Sequence, residues 1–356
     1  GIALPLRAVF EAASARRLAQ AIAAGRHAAA PAAPPLAHVA DQSRAPLTLA
    51  QERIRFMEEM HPGRAVYNTP SAHRLSGPMN RAALEQALRE MVRRQPSLRS
   101  RVVADAQGAR LEVLPQLDFE LPFTDLSALP QAAREAELLR RLQAIIDEPM
   151  AIAAAPLFRV ALYRLADEEH VLLFSIHHIV WDGWSFDLFY REMAAAYAAA
   201  LQGKPSPLAL PAVSFVDYAH WHKAWMDSEA CKAQVQFWRS HYEGIEAPRA
   251  LPTDHPRGAG MTGEGGAEWV HMDKALTERL REVAQGAGTT LNMLILAVYT
   301  AMLSEAVQGR SIVIGMPVRG RGQIELDPVM GFFNNLLPVH FAVDPAQGLP
   351  AWLAAD

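Results

Sequence analysis

The sequence predicts a mixed α/β (α+β) fold, and three observations carry that prediction. Residues 171–176 (VLLFSI) form an apolar run rich in strand formers, and a similar run over residues 157–165 precedes it. The acidic turn Asp167-Glu168-Glu169 joins the two, as in an antiparallel pair. Helical periodicity surrounds this pair, most clearly over residues 80–94 (NRAALEQALREMVRR), where Asn80 is placed to cap and Leu84, Leu88 and Met91 form an apolar stripe.

Composition bounds the function. The 356 residues suggest about two domains. Hydrophobic residues make up 51 % and charged residues 20 %, enough apolar matter for sizeable cores. A net charge of −4 gives no sign of a nucleic-acid partner. The single cysteine, Cys231, excludes an internal disulfide and a cysteine-based metal cluster and fits a reducing, cytoplasmic setting. No apolar run reaches the length of a membrane span, and Arg7 and Glu11 interrupt the first apolar stretch, so no signal peptide is expected.

In chain order, residues 1–25 place Leu6, Val9, Phe10, Leu18 and Ile22 at helical spacing, with Ser14 as a possible cap between short helices. Residues 26–46 are Ala/Pro-rich and aperiodic, so they read as a semi-extended linker ending at a domain boundary. A helix from about Leu49 to His61-Pro62-Gly63 follows. Residues 67–75 are expected as a strand, at an edge or a bend because of Pro70. Further helices are predicted over residues 132–146, 186–201, 274–285 and 291–304, with a strand over 311–317.

The strand at 171–176 stops at His177-His178, and Asp182-Gly183-Trp184-Ser185 follows closely. Polar groups gathered in so apolar a segment are costly unless hydrogen-bonded. HHIVWDGWS resembles the HHxxxDG signature of the condensation domains of nonribosomal peptide synthetases, within the chloramphenicol acetyltransferase-like superfamily. Other segments resemble that family in its own order. LTLAQERIRFMEEM is similar to its opening motif and PGRAVYNTP to the segment after it. VRRQPSLRSRV is similar to the second motif, with Leu98 and Arg99 in place but Gln95 and Pro96 where His and Glu are usual. SFVDYAHWHKAW resembles the fourth motif, LPTDHPR a typical segment, and IVIGMPVRGR with VMGFFNNLLPV the fifth, in which Arg321 and Asn335 fit and Asn334 replaces an apolar residue.

The resemblance implies two acetyltransferase-like lobes set in a V, here 47–212 and 213–356. The second lobe is expected to be incomplete, because two later motifs are not seen, and the chain by itself is expected to be inactive. LPLRAVFEAASARRLAQAI resembles the last helices of a peptidyl carrier domain, which makes residues 1–25 the expected tail of a carrier. The missing initiator Met and the apparently helical end at Trp352-Leu353 suggest a piece of something longer.

For chemistry, the resemblance implies amide formation between a carrier-bound aminoacyl or peptidyl thioester and a carrier-bound aminoacyl amine. Both would arrive on phosphopantetheine arms, with no cofactor bound by the domain itself. Expected partners are upstream and downstream carrier domains and the adenylation domain of the module. Such a reaction needs a proton acceptor, a held oxyanion and exclusion of water. By resemblance His178 faces the tunnel between the lobes, while His177, on the opposite face of the strand, turns into the lobe as a core histidine. Gly183 offers its N–H to the oxyanion or merely allows φ > 0 in a turn. Asp182 invites a triad reading, but an Asp before Gly is more often a turn-former, and the resemblance implies a structural pair with Arg321. Trp184 and Ser185 are expected at the tunnel, with packing the alternative for Trp184, Asn335 at a substrate arm or satisfying backbone, and Arg99 at the tunnel entrance or bracing the fold.

A metal site at His177, His178 and Asp182 is not expected, because adjacent strand histidines diverge and no further ligand set has suitable spacing. A serine hydrolase is excluded by the lack of GxSxG. Within the resemblance an epimerisation domain and a catalytically silent recruitment domain remain rivals. A cyclisation domain is disfavoured because its first histidine is an Asp. PGRAVYNTP and ALPTDHPR lean towards joining two L-configured residues.

Overall fold

The structure, a computed structural model, describes residue 16 and residues 33–346, apart from 107, 257, 259–264 and 345. The carrier tail expected over 1–25 and the linker to residue 32 therefore lie outside the described residues, save Arg16.

A four-stranded sheet in the order β2-β7-β6-β5 is the frame of the site. It comprises β2 (Asn68–Ser76), β5 (Phe123–Asp125), β6 (Phe158–Ala166) and β7 (Glu169–His177). β6 and β7 are antiparallel, Leu162 opposite Leu172 and Val160 opposite Phe174. Both are covered on both faces, which explains why each reads as a continuous apolar run rather than an alternating one. One face (Val160, Leu162, Leu172, Phe174, Ile176) joins the main core with α2 (Arg81–Arg94) and α4 (Gly183–Leu201). The other (Ala161, Tyr163, Leu165, Val171, Leu173) packs with Leu138 of α3 (Gln131–Ile146). Pro70 is tolerated because β2 lies at the sheet edge, paired only with β7.

Local chemistry sets the helix starts. Thr48 and Gln51 form a reciprocal capping box at α1 (Leu49–Met60), and Asn80 accepts from Ala83 N–H at α2. A smaller sheet, ordered β1-β4-β3, is built from β1 (Arg44–Pro46), β3 (Ser100–Asp105) and β4 (Gly108–Val113).

The linker expected over 26–46 is corrected over its described part. Residues 44–46 are β1, and Leu36 and Val39 pack against the main core. Asp217 explains the docking. It is fully buried in α5 (Phe215–Met226) and accepts from Val39 N–H at 2.8 Å, Gln42 Nε2 at 2.7 Å and Ser214 N–H at 2.7 Å. The core also extends past the junction expected at 212, since Phe215, Val216, Tyr218 and Ala219 belong to it.

Beyond α5 come α6 (Glu229–Tyr242), α7 (Lys274–Gly286), α8 (Leu291–Val307), β8 (Ser311–Val318) and β9 (Asn335–Ala342). The two strands pair antiparallel, Val318 opposite Asn335. The segment between them, residues 319–334, returns to the first core, where Leu326, Val329, Met330, Phe332 and Phe333 are buried. Gln95 and Ser97 hold this crossover. Gln95 Nε2 donates to Pro328 O at 3.2 Å, Met330 N–H donates to Gln95 Oε1 at 3.2 Å, and Ser97 Oγ donates to Met330 O at 2.8 Å. Among the described residues, no single helix is long and apolar enough to cross a membrane.

Candidate active site

β7 ends at His177, and His178 opens a single 3₁₀ turn, His178–Val180. The two imidazoles therefore diverge through a turn and not through strand alternation. His177 is buried, and its Nδ1 accepts from Ile179 N–H at 3.1 Å, capping the turn. His178 is half-buried. Its N–H donates to Tyr67 O at 2.8 Å, and its Nδ1 lies 2.6 Å from Trp181 O. A carbonyl oxygen only accepts, so the ring proton sits on Nδ1 and Nε2 presents its lone pair. Phe332 meets the His178 ring edge-on at 4.8 Å between centroids. The crossover thus forms one wall beside this imidazole.

Asp182 is the N-cap of α4, its Oδ1 accepting from Ser185 N–H at 2.9 Å. Oδ2 accepts from Arg321 Nη1 at 2.8 Å and from Phe333 N–H at 3.1 Å. With both oxygens so engaged and His178 Nδ1 bonded to Trp181 O, a triad in which Asp182 orients His178 is excluded. Arg321 Nη2 also donates to Val329 O at 3.1 Å, and the guanidinium lies 4.1 Å from the Phe333 ring centroid. Both charged side chains are fully buried. Burial holds the Arg321 pKa below its ordinary value, outweighing the hydrogen bond and charge of Asp182, which raise it. Burial lifts the Tyr218 hydroxyl to about 12 against the opposing Arg321 charge, with the Asp182 charge adding to the rise, so it stays neutral.

Gly183 is the first residue of α4, so the alternative of a φ > 0 turn is corrected; the helix begins three residues earlier than its apolar period suggests. Its N–H is one of the orphan donors of the helix N-terminus and has no partner among the described residues. A Cβ at this position would meet nothing within 4 Å, so the backbone faces open space.

Ser185, expected at the tunnel, is instead fully buried. Its Oγ donates to Asp182 Oδ1 at 2.7 Å and accepts from Gly331 N–H at 3.0 Å and Arg321 Nη2 at 3.2 Å. Trp184 is half-buried against the crossover; its Nε1 donates to Asp327 O at 3.1 Å and the Arg319 guanidinium lies 3.9 Å over its ring. Asn335 is exposed and lines a 420 Å³ pocket that it shares with Phe332, Phe333, Trp221 and Trp225. Arg99 braces the fold. It donates to Val92 O at 3.0 Å, to Pro115 O at 3.2 Å and to Leu114 O, and burial chiefly lowers its pKa.

Sequence reasoning missed Gln51, which is fully buried and donates through Nε2 to Ile179 O at 2.8 Å, bracing the His178 turn from α1. Its position three residues after Thr48 was the available signal, but only for the capping box.

A family model described as condensation domain matches residues 41–355. The chain is 35 % identical to one of the linear gramicidin synthase proteins of Brevibacillus parabrevis, over 94 % of its own length and 6 % of that protein's. It is 34 % identical to phosphinothricin tripeptide synthetase PhsC of Streptomyces viridochromogenes, over 98 % of this chain and 31 % of that one. The chain thus spans less than a third of either relative. Among solved structures it is similar to the X-domain in its complex with OxyB from teicoplanin biosynthesis, with a TM-score of 0.78 and 29 % identity over 92 % of this chain and 72 % of that one. The first condensation domain of the CDA synthetase shares the fold, with a TM-score of 0.72 and 24 % identity over 88 % of this chain and 74 % of that one. A match over nearly the whole described chain, with a conformationally held His178 beside the Asp182–Arg321 pair, places this protein in the family of condensation domains of nonribosomal peptide synthetases.

Proposed function

We propose that this domain forms a peptide bond between two carrier-bound substrates. The acceptor's amine nitrogen attacks the carbonyl carbon of the donor aminoacyl or peptidyl thioester. The C–N bond forms, the C–S bond breaks, and the amine's proton passes by way of His178 Nε2 to the departing phosphopantetheine thiolate. The observation that carries this reading is the 2.6 Å contact between His178 Nδ1 and Trp181 O, which leaves Nε2 as acceptor without a carboxylate behind it. The unpartnered Gly183 N–H, at the positive end of α4, suits a developing oxyanion. Phosphopantetheine enters as part of the substrates, delivered by carrier domains on either side, with an adenylation domain loading the acceptor carrier. Asn335, exposed where it lines its pocket, is suited to bond such an arm through its side-chain N–H, its Oδ1 already accepting from Leu336 N–H.

Recruitment of a partner protein without catalysis is the second reading, favoured by the 29 % identity to the X-domain seen in complex with OxyB. The test uses the synthetase module that carries this domain, with both carriers loaded, and follows dipeptidyl thioester by intact-protein mass spectrometry in wild type and His178→Ala. Loss of dipeptide in the variant, with unchanged loading and melting, is the expected result. Dipeptide retained by His178→Ala removes it as proton acceptor. Dipeptide from neither protein favours recruitment, and a D-configured, uncondensed thioester favours epimerisation.

A further inference from the structure

We propose that Glu58 is a positioning residue of this site, holding the His177 imidazole in the tautomer that caps the His178 turn. The inference rests on the reading of His178 as the proton acceptor. Its basis is a chain of three groups. Ile179 N–H donates to His177 Nδ1, so that nitrogen carries no proton and the ring N–H is at Nε2. His177 Nε2 lies 3.4 Å from Glu58 Oε1, with the two side chains only 2 % and 13 % exposed. Glu58 is free for this role because the neighbouring cation, Arg55, is already taken by Glu52 and Glu59.

The tautomer matters because the alternative puts N–H at Nδ1, directly against the Ile179 N–H. Two donors would then face each other in a buried site, and the turn would lose its cap. The same turn sets the angle at which His178 reaches Trp181 O. α1 thus supports the turn from one face, since residues 51, 54 and 58 recur at helical spacing. Gln51 bonds Ile179 O, Ile54 is buried, and Glu58 meets His177. Glu58 acts through His177 and needs no contact with substrate.

Two measurements test this. In the loaded module, Glu58→Leu is expected to lower kcat about tenfold with KM for the acceptor carrier unchanged, and Glu58→Gln, which keeps an acceptor oxygen, to return kcat to within about twofold of wild type. In the ¹⁵N-histidine spectrum of the protein, the His177 signal, assigned by its loss in His177→Asn, is expected as the Nε2–H tautomer in wild type and Glu58→Gln, and as a mixture in Glu58→Leu. Wild-type kcat in Glu58→Leu, a change in KM alone, or an unmixed His177 tautomer in that variant overturns the proposal. If Glu58→Leu does not fold, Glu58→Asp, whose carboxylate is one methylene further back, replaces it in both arms. If wild type itself makes no dipeptide, the functional reading fails, and the tautomer in Glu58→Leu alone decides for or against Glu58.

Discussion

The Arg321 guanidinium grips both oxygens of the Asp182 carboxylate, through Nη1 at 2.8 Å and Nη2 at 3.2 Å, across 139 residues of chain. Asp182 caps α4, and Arg321 lies on the crossover that brings Phe332 against His178. The pair therefore fixes the N-terminus of α4 and the wall beside the imidazole in one arrangement.

Because both charges are fully buried, removing one leaves the other uncompensated. Asp182→Asn and Arg321→Ala are each expected to destabilise by about 3–5 kcal/mol, read from urea unfolding midpoints. The double variant Asp182→Asn/Arg321→Ala is expected to lose less than the sum of the singles. Full additivity would mean that the two side chains act independently.

Two glycines of the crossover are demanded by contact. A Cβ on Gly320, where φ is +68°, would fall 1.9 Å from Phe333 O, and one on Gly331 would fall 2.2 Å from the Phe215 ring. Gly320→Ala meets backbone that has nowhere to go, and it is expected to cost at least about 1–3 kcal/mol. Gly322→Ala, with nothing within 4 Å and no positive φ, is the control and is expected to change stability by about 0.5 kcal/mol or less. Thermal melts of the two variants check this.

The parts of the fold legible in the sequence were those written locally. β6 and β7 announce themselves as apolar runs with a charged turn between, and α2 carries its own cap and stripe. Ser185 shows where such reading stops. The apolar period of α4 starts at Phe186, so Ser185 looked like loop; the Asp182 cap pulls the helix start back to Gly183 and turns Ser185 inward onto the carboxylate. Residues 33–46 misled for another reason. Their Ala/Pro composition is that of a linker, and what docks them is Asp217, 178 residues on from Val39. Gln95 and Ser97 likewise act on a crossover 233 residues on, a pairing that no local pattern encodes. The tautomer of His178 depends on a 3₁₀ turn, which leaves no periodic trace at all.

Asp217 gives the docked segment a pH dependence. Burial by itself would raise its pKa, but hydrogen bonds from Val39 and Ser214 N–H, His38 and Gln42 outweigh it and hold the carboxyl below its ordinary 3.8. A depressed folded pKa means stabilisation that is complete above the ordinary value and is lost as pH falls through the lower, folded one. Wild type is therefore expected to lose stability in acid as pH drops below 3.8. Asp217→Asn is expected to be less stable near neutrality yet flatter across that acid window. Denaturant midpoints measured across the range read both slopes. Parallel slopes would show that this carboxylate is not the group being titrated.

Gly183 allows the oxyanion role to be tested without disturbing the fold. It occupies the first position of α4, where an N–H has no helical partner and proline is well tolerated. Asp182 before it is extended, with φ −139° and ψ 175°, as a residue preceding proline prefers. Gly183→Pro thus deletes one N–H while keeping the cap, the helix and the Asp182–Arg321 pair. Gly183→Ala keeps the N–H and adds a methyl where nothing lies within 4 Å. If that N–H holds the developing oxyanion, Gly183→Pro is expected to lower kcat by about 10²–10³-fold at an unchanged melting temperature. Gly183→Ala, which adds a methyl but retains the donor, is expected to lose far less. Equal losses in the two variants would point to steric exclusion of substrate at this backbone and remove the N–H from the mechanism.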